Sequence, residues 1–155
     1  MPSFDVTEVV AEDAAVEAIL ERHHAVMTAA TPDESCHVMT GAELRASGAR
    51  VFRISDDKGT VLGIGALKPL SGTGVELKSM HVLTDARGTG AAPALLERLI
   101  ETARDMGATE ILLETGSAEM FLPARKLYER AGFALSAPFE GYVEDPLSVF
   151  MRKSI

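Results

Sequence analysis

The sequence predicts an α+β fold in which a mixed central sheet, antiparallel at one end and with a parallel pair of strands at its centre, is flanked by helices. Three consecutive segments with a two-residue hydrophobic period predict an antiparallel meander. A glycine-rich turn then leads into a long segment of helical periodicity, and a short apolar strand follows that helix. Because a strand, a crossover helix and a second strand make parallel neighbours, we expect this strand to pair in parallel with the last strand of the meander.

The N-terminal half supplies one strand, a helical region and the meander. Apolar and polar residues alternate from Phe4 to Val10, which predicts the first strand. Apolar residues recur at helical spacing in EDAAVEAILERHHAVMTAA, and this helix is expected to end before Thr31 and Pro32. A mixed segment with helical character around residues 42–47 follows. The meander strands are RVFRIS, VLGIGALKPL and VELKSMHVL, separated by the turn sequences DDKGT and SGTG.

The C-terminal half contains two helices and three strands. The helix after the glycine turn carries an apolar stripe at steps of three and four and ends at Gly107. TEILLET is a short apolar strand, and PARKLYERAGF is a second helix that ends at Gly132. The tail FALSAPFEGYVEDPLSVFMRK is expected to supply two more strands around an irregular loop.

Length and composition indicate one domain spanning residues 1–155. With 155 residues, of which 46% are hydrophobic, the chain can bury a sizeable core, and no low-complexity tract or internal repeat divides it. The formal net charge of −8 argues against a protein that holds nucleic acid through a broad basic face. No apolar segment approaches the roughly 20 residues needed to cross a bilayer, so no membrane association is expected.

The N-terminus and the cysteine content favour a cytoplasmic protein. MPSFDVTEVVAED is acidic and lacks the basic start and apolar core of a secretory signal. The single cysteine, Cys36, cannot form an internal disulfide, which fits a reducing compartment. The four histidines lack the spacing of a metal-binding helix and no second cysteine is present, so no metal site is expected.

The glycine turn, residues 87–90, stands where a strand meets a helix. A helix N-terminus exposes about four unpaired N–H groups and the positive end of the helix dipole, which together suit a phosphate. The glycines permit unusual backbone angles and let a ligand touch the main chain. They also suit a plain strand-to-helix turn, and these residues alone leave both interpretations open. The P-loop ending G-K-[ST] is absent, and the Rossmann spacing counted from Gly88 meets Pro93 where a third glycine belongs.

The segment Arg-Gly-Thr-Gly-Ala-Ala at 87–92 resembles the Gln/Arg-x-x-Gly-x-Gly/Ala signature of the GNAT superfamily of N-acetyltransferases, which bind acetyl-CoA. ELKSMHV before it, ILLETG after the helix and ARKLYERAGF beyond follow in the family's order, so the resemblance covers about Val51 to Phe150. It implies a GNAT-like fold with acetyl-CoA as cosubstrate. In the family, the strand before the turn pairs with the pantetheine arm, and the turn and helix start hold the pyrophosphate. These roles fall on Met80, His81 and Val82 for the strand, and on Arg87, Gly88, Thr89, Gly90, Ala91 and Ala92 for the turn.

Two positions depart from the family pattern. Many members offer a further amide at the position of Pro93, which has no N–H to donate, although proline is tolerated in the first turn of a helix. Many also carry an asparagine seven residues before a tyrosine of the next helix, where this chain has Phe121. We therefore leave Pro93 out of the donor set; cofactor binding is still expected, and the resemblance does not fix the geometry around Phe121.

Acetyl transfer from a thioester to an amine requires one group that accepts the amine proton and another that protonates the departing sulfur. The resemblance places Tyr128 at the thioester, where a phenol with a pKa near 10 is protonated at neutral pH. The alternative is a packed helix aromatic. Two carboxylates compete as the base, Glu76 first and Glu114 second, and either is alternatively a structural charge paired with Lys78. Strand periodicity would place four side chains on one face: Glu76, Lys78, Met80 and Val82.

The leading hypothesis is an acetyl-CoA-dependent N-acetyltransferase that acts by direct transfer on a primary amine of a small or amino-acid-like molecule. A protein- or peptide-directed acetyltransferase and a non-catalytic acyl-CoA-binding module are the alternatives. The tail PFEGYVEDPLSVFMRK resembles that of a subgroup of small bacterial GNAT proteins with a Tyr-x-x-Asp-Pro-x-Ser-Val-Phe-Met ending. In this chain, two roles stay open for Tyr142, Glu144 and Asp145: recognition of a cation near the cleft, or capping of a turn before the last strand. The sequence leaves open the acceptor and the choice between a monomer and a homodimer.

Overall fold

A seven-stranded sheet runs through the computed structural model, which describes residues 3–155. The strands lie in the order β1-β2-β3-β4-β5-β7-β6. The central pair β4–β5 is parallel, as predicted, and every other neighbouring pair is antiparallel, so antiparallel pairing lies on both sides of the parallel pair rather than at one end. The strands are β1 (Asp5–Glu8), β2 (Arg50–Ser55), β3 (Val61–Pro69), β4 (Gly74–Val82), β5 (Glu110–Gly116), β6 (Ala134–Leu135) and β7 (Ser148–Ser154).

Four helices flank the sheet, and their ends follow the local sequence. The Asp13 carboxylate accepts hydrogen bonds from the first-turn amides of α1, and Thr40 with Glu43 forms a capping box at the start of α2. Gly107, at φ +84°, follows the end of α3 as predicted. The helices are α1 (Ala14–Ala30), α2 (Gly41–Ala46), α3 (Ala91–Asp105) and α4 (Leu122–Arg130).

Within residues 3–155, the helices are too short or too polar to cross a membrane.

The helices cover the two faces of the sheet and form two main hydrophobic clusters. On one face α1 and α2 pack against β2 and β3, and on the other α3 and α4 pack against the central strands. Each fully buried aliphatic side chain stabilises the fold by roughly 1.5–3 kcal/mol relative to its exposed state. The first cluster is built on Val16, Ile19, Leu20, Leu44, Val51, Val61, Ile64 and Ala66, and the second is centred on Leu67, Leu77, Leu95, Leu96, Leu99, Ile111, Leu113 and Met151.

A β-bulge interrupts β4 at its midpoint. Ala66 of β3 pairs with Lys78 and Ile64 pairs with His81, so the single residue between Ala66 and Ile64 faces two residues of β4. One of those two residues, Ser79, has a left-handed backbone with φ +53°. The extra residue reverses which face of the sheet each later side chain of β4 occupies.

The bulge makes one sequence-based prediction wrong. Glu76 and Lys78 were expected to share a face with Met80 and Val82, because a regular strand alternates without interruption. Met80 and Val82 instead pack against the cluster that contains Val75 and Leu77.

Pairing between β4 and β5 ends after three residues. The parallel register runs from Gly74 opposite Glu110 to Glu76 opposite Leu112 and goes no further. Beyond that point the two strands diverge, and β4 keeps only its antiparallel partner β3. The divergence opens the middle of the sheet on the side of the carboxyl ends of these parallel strands.

Candidate functional site

A cleft of about 550 Å³ occupies the gap between the diverging strands. Its walls are the second halves of β4 and β5, the turn before α3, one side of α4, the C-terminal half of α1 and the segment 37–39. The turn follows the end of β4, whereas the segment 37–39 reaches Glu76, in the first half of β4, through the contact of His37 with Tyr142; the two therefore lie toward opposite ends of the cleft. Ligands of open sheets with parallel strands commonly bind in such a gap, at the carboxyl ends of the strands.

The turn at one end is shaped by two glycines with left-handed backbone angles. Gly88 has φ +77°, and Gly90, the residue before α3, has φ +91°. A Cβ at Gly88 would meet nothing within 4 Å, so the space above the turn is open to a ligand. The Thr89 hydroxyl donates a hydrogen bond to the Ala86 carbonyl, which fixes the turn from inside. The N–H groups of Thr89 and Ala91 bond within the turn, to the Ala86 carbonyl and the Thr89 hydroxyl. The main-chain donors left at the helix start face an open surface that suits a diphosphate.

The alanines after the turn divide between core and cleft. Ala91 is fully buried beneath the turn, whereas Ala92 lines the cleft beside Arg87. The three strand residues that were predicted for the pantetheine arm, Met80, His81 and Val82, also line the cleft. Since β4 makes no ladder with β5 beyond Glu76, this side of the strand suits an extended ligand that adds as a further strand.

Tyr128 reaches the cleft from α4. The residue is only 7% exposed, and its ring lies 5.8 Å from that of Phe133. Burial raises the pKa of the Tyr128 hydroxyl to about 12, so it carries a proton at neutral pH. The hydroxyl makes no hydrogen bond with any of residues 3–155. A buried, protonated and locally unpaired phenol can donate to a ligand atom.

Glu76 is held in a buried network with Lys78 and Tyr142. Its Oε2 accepts a hydrogen bond of 2.5 Å from the Tyr142 hydroxyl, and Lys78 Nζ lies 3.3 Å from the same oxygen. Lys78 Nζ also donates to the Tyr142 hydroxyl over 3.2 Å. The side chains of Glu76 and Lys78 are only 4% and 10% exposed, so each charge depends on the other for compensation. The predicted ion pair with Lys78 is therefore formed by Glu76.

Glu114 has a different environment on β5. It is half-buried, lines the cleft and forms no salt bridge within residues 3–155. Burial raises the pKa of its carboxyl to about 7; the Ser148 side chain and the charge of Lys78 oppose this shift, and the negative charges of Glu76 and Asp145 add to it. Near neutral pH this group exchanges its proton readily.

Phe121 occupies the position where the family's asparagine was expected. Its ring packs directly on Gly116, at the end of β5, where any Cβ would overlap it. Arg125 Nη1 donates to the carbonyl oxygens of Gly116 and Ala118, which fixes the connection between β5 and α4. Phe121 therefore presents an apolar surface to the cleft in place of an amide.

A pair of histidines joins α1 to β4 beside the cleft. His23 Nδ1 and His81 Nδ1 are 3.0 Å apart, so one ring donates an N–H to the other. Burial lowers the pKa of His23 to about 4 and also lowers that of His81. Both lowered pKa values favour neutral rings at neutral pH, and the hydrogen bond requires that at least one ring offers an unprotonated nitrogen as its acceptor.

The C-terminal loop closes the cleft opposite the turn. Tyr142 lines the cleft, with the His37 ring 4.9 Å from its own in an edge-on arrangement. Asp145 accepts hydrogen bonds from the Leu147 amide and the Ser35 hydroxyl. Asp145 therefore caps a turn and anchors the loop, which is one of the two roles predicted for it.

Sequence reasoning missed His23 as a residue of the cleft and gave Lys78 no role beyond an ion pair. The pairing of Lys78 with Glu76 could be predicted from the sequence, because residues two apart on a strand share a face and a lysine near a buried glutamate usually pairs with it. The place of His23 in the cleft could not be predicted, because its contact with His81 joins residues 58 positions apart. Metal binding finds no support in residues 3–155, where no three His, Cys, Asp or Glu side chains cluster.

Comparison with known proteins gives one family. The model of the Acetyltransferase (GNAT) family matches residues 16–133. An uncharacterised N-acetyltransferase from Bacillus subtilis, YsnE, is 40% identical over 141 residues, covering 90% of this chain and 92% of that protein. An IAA acetyltransferase from Azospirillum brasilense is 39% identical over 125 residues, which are 80% of each chain. A crystal structure assigned as an acyl-CoA N-acyltransferase from Klebsiella pneumoniae superposes with a TM-score of 0.80 at 27% identity, covering 97% of both chains.

The histidine pair predicts a pH-dependent stability. The folded-state pKa of His23, about 4, lies below its ordinary value of 6.5. At pH values between the two, His23 is protonated in the unfolded chain and neutral in the folded protein. Stability should be fully present above pH 6.5 and fall as the pH drops toward 4, by on the order of 1–2 kcal/mol at pH 5 from this residue. Urea denaturation at pH 7 and pH 5 measures the free energy of unfolding. The decrease between the two pH values should be smaller for His23→Gln than for the wild type.

His24→Gln is the matched control for this measurement. It removes the neighbouring histidine of α1, which contributes least to the lowered pKa of His23, and leaves the His23–His81 contact in place, so it should keep most of the wild-type pH dependence. Equal losses for His23→Gln and the wild type would contradict the assignment.

Proposed function

The chain belongs to the GNAT family of acetyltransferases, and we propose that it transfers the acetyl group of acetyl-CoA to a primary amine of a small or amino-acid-like molecule. The observation that carries this proposal is the convergence of three elements on one cleft: the open glycine turn, the protonated Tyr128 and the carboxyl group of Glu114. Together they offer a place for a diphosphate, an acid and a base.

The donor would lie along the cleft from the turn toward Tyr128. The turn residues Arg87 to Ala92 would hold the diphosphate through main-chain N–H groups, and the free side of β4 from Met80 to Val82 would pair with the pantetheine arm. Acetyl-CoA supplies a thioester, whose carbonyl carbon forms the new C–N bond to the amine as the C–S bond breaks. The remaining chemistry is proton transfer by the chain's own side chains.

The structure favours Glu114 over Glu76 as the base, which reverses the order given by the sequence. A base with a pKa near the working pH is half ionised there and still basic enough to take the amine proton. Glu114 has that property, whereas the Oε2 atom of Glu76 is already occupied by Tyr142 and Lys78. We propose that Glu114 accepts the proton and that Glu76 positions Tyr142 and Lys78, with Glu76 as base remaining the alternative.

Tyr128 would return a proton to the coenzyme A sulfur. The hydroxyl is protonated at neutral pH, so it can donate to the sulfur as negative charge develops there; burial makes it a weaker acid, so the proton would move only once that charge has formed. Because no protein group in residues 3–155 competes for that proton, the hydroxyl is free to point along the cleft.

The acceptor panel decides between the proposal and its alternatives. Incubation with acetyl-CoA and free amines, with thiol release as the readout, separates an enzyme from a module that only binds acyl-CoA. A parallel peptide panel tests the protein-directed alternative, and IAA belongs in the small-molecule panel because one relative is named for it. Thiol release with peptides, but with none of the small molecules tested, would overturn the small-molecule proposal.

Gly90→Val should abolish measurable binding of coenzyme A. A β-branched side chain at φ +91° is strained, and it would stand in the space that the diphosphate needs. Calorimetric titration with coenzyme A measures the loss. Gly107→Val is the matched control, because Gly107 has a similar φ of +84° at the other end of α3 and nothing within 4 Å of its Cβ position. Equal affinities in the two folded variants would remove the diphosphate site from the turn.

Glu114→Gln should lower kcat by roughly 10²-fold or more, the usual contribution of a positioned general base. In the wild type, activity should fall as the pH drops through about 7, because Glu114 then becomes protonated, and the variant should lose this limb of the profile. Glu76→Gln is the companion variant and should keep the limb. If the limb disappears in Glu76→Gln and survives in Glu114→Gln, the two roles are exchanged.

Tyr128→Phe should lower turnover and leave the affinity for acetyl-CoA nearly unchanged. The ring and its packing remain, and the hydroxyl has no internal partner to lose, so the fold should keep its stability. Steady-state kinetics and calorimetry give the two quantities separately. Weakened binding with a normal kcat would make Tyr128 a cofactor anchor, and full activity would assign the proton to water.

A further inference from the structure

The end of the cleft away from the turn is formed where the segment 37–39 meets the C-terminal loop. The His37 ring of that segment touches the Tyr142 ring, whose hydroxyl bonds to Glu76. Val38 and Met39 follow His37 and line the cleft, as do Val26 and Met27 of α1, so these two segments supply apolar lining. We call this region the acceptor end.

Most of the positively charged side chains that line the cleft lie outside the acceptor end. In the described chain they are Lys78, Arg87 and Arg130. Arg87 belongs to the turn, and Arg130 lies in the last turn of α4, two residues beyond Tyr128. Lys78 is thus the cation of the acceptor end.

Lys78 is already committed to a negative partner. Its ammonium group lies against the Glu76 carboxylate and the Tyr142 hydroxyl in a nearly dry environment. A second carboxylate brought in by a ligand would have to break this pair or remain uncompensated, and Glu114 adds further negative charge on the same side. By contrast, a neutral amine meets carboxylates that can accept its N–H groups.

From these contacts we propose that the acceptor is a primary amine on an apolar alkyl or aryl arm, with no carboxylate beside the amine. The arm would lie on Val26, Met27, Val38 and Met39, and the nitrogen would face Glu114 and Glu76. This inference rests on the proposed function and narrows its acceptor from amino-acid-like molecules to their decarboxylated counterparts.

Matched pairs of compounds test the inference directly. Tryptamine against tryptophan and phenethylamine against phenylalanine differ by one carboxylate, and kcat/KM should favour the amine by roughly 10²-fold or more, as expected where like charges are brought together. Calorimetric titration of the same compounds into the complex with coenzyme A should give the same order without any turnover. Amino acids bound or used as well as the amines would overturn the inference, as would failure of both members of each pair to bind.

The coenzyme A titration, which precedes these measurements, tests the proposed function separately. If coenzyme A binds and the amines do not, the acceptor class is wrong while the acetyltransferase proposal stands. If coenzyme A itself fails to bind, the proposed function fails first.

Two substitutions test whether the commitment of Lys78 causes the discrimination. Glu76→Gln removes the partner of Lys78 and should lower the amine-to-amino-acid ratio of kcat/KM at least about tenfold, since Lys78 can then pair with a ligand carboxylate. The ratio cancels any general loss of rate. Glu97→Gln, on the exposed side of α3, changes the net charge equally and should leave the ratio unchanged.

Lys78→Met removes the cation itself and should not improve the use of amino acids. If Glu76→Gln does not fold, the binding order of the matched pairs in the wild type still decides the inference. An unchanged ratio in folded Glu76→Gln would contradict the proposed role of the pair.

Discussion

The separation of β4 from β5 after Glu76 is the constraint on which the site depends. Had the two strands stayed paired, their backbone groups would satisfy each other and no gap would exist in the sheet. The bulge at Ser79 turns the remainder of β4 toward β3 and leaves its other side free. It also moves Met80 and Val82 onto the α3 side and His81 onto the α1 side, so the two halves of β4 present different residues to the cleft.

The two glutamates of the cleft show how environment separates groups of the same chemistry. Glu76 is the more deeply buried, yet Lys78 and Tyr142 compensate its charge. Glu114 is less buried but has no such partner, and its pKa rises accordingly. Different surroundings can give two carboxyl groups of one site different roles. Which of them does which depends on contacts that join residues 66 positions apart, since Tyr142 reaches Glu76 from the C-terminal loop.

Much of the fold was predictable because it depends on local sequence patterns. The meander, the parallel pair and the helix that begins after Gly90 follow from periodicity and turn residues, and they are confirmed. The bulge also left a local signal, which a strict two-residue period overlooks: the apolar residues of β4 are Val75, Leu77, Met80 and Val82, with a step of three in the middle. The histidine pair and the Tyr142 contact had no such signal, because they arise only when distant segments pack.

The charges of the protein act differently at the two ends of the cleft. A net charge of −8 repels an anionic donor at long range, so in the proposed function its diphosphate would have to be held by short-range groups, for which the helix start and Arg87 are the candidates. The same field attracts protonated amines, which are the dominant form of such acceptors at neutral pH. Within about 8–10 Å, salt screens the interaction between charges only weakly, so individual residues determine which ligand charge is favoured. At the acceptor end those are carboxylates with their single lysine neutralised, so the far field and the local field both favour an amine and disfavour a carboxylate.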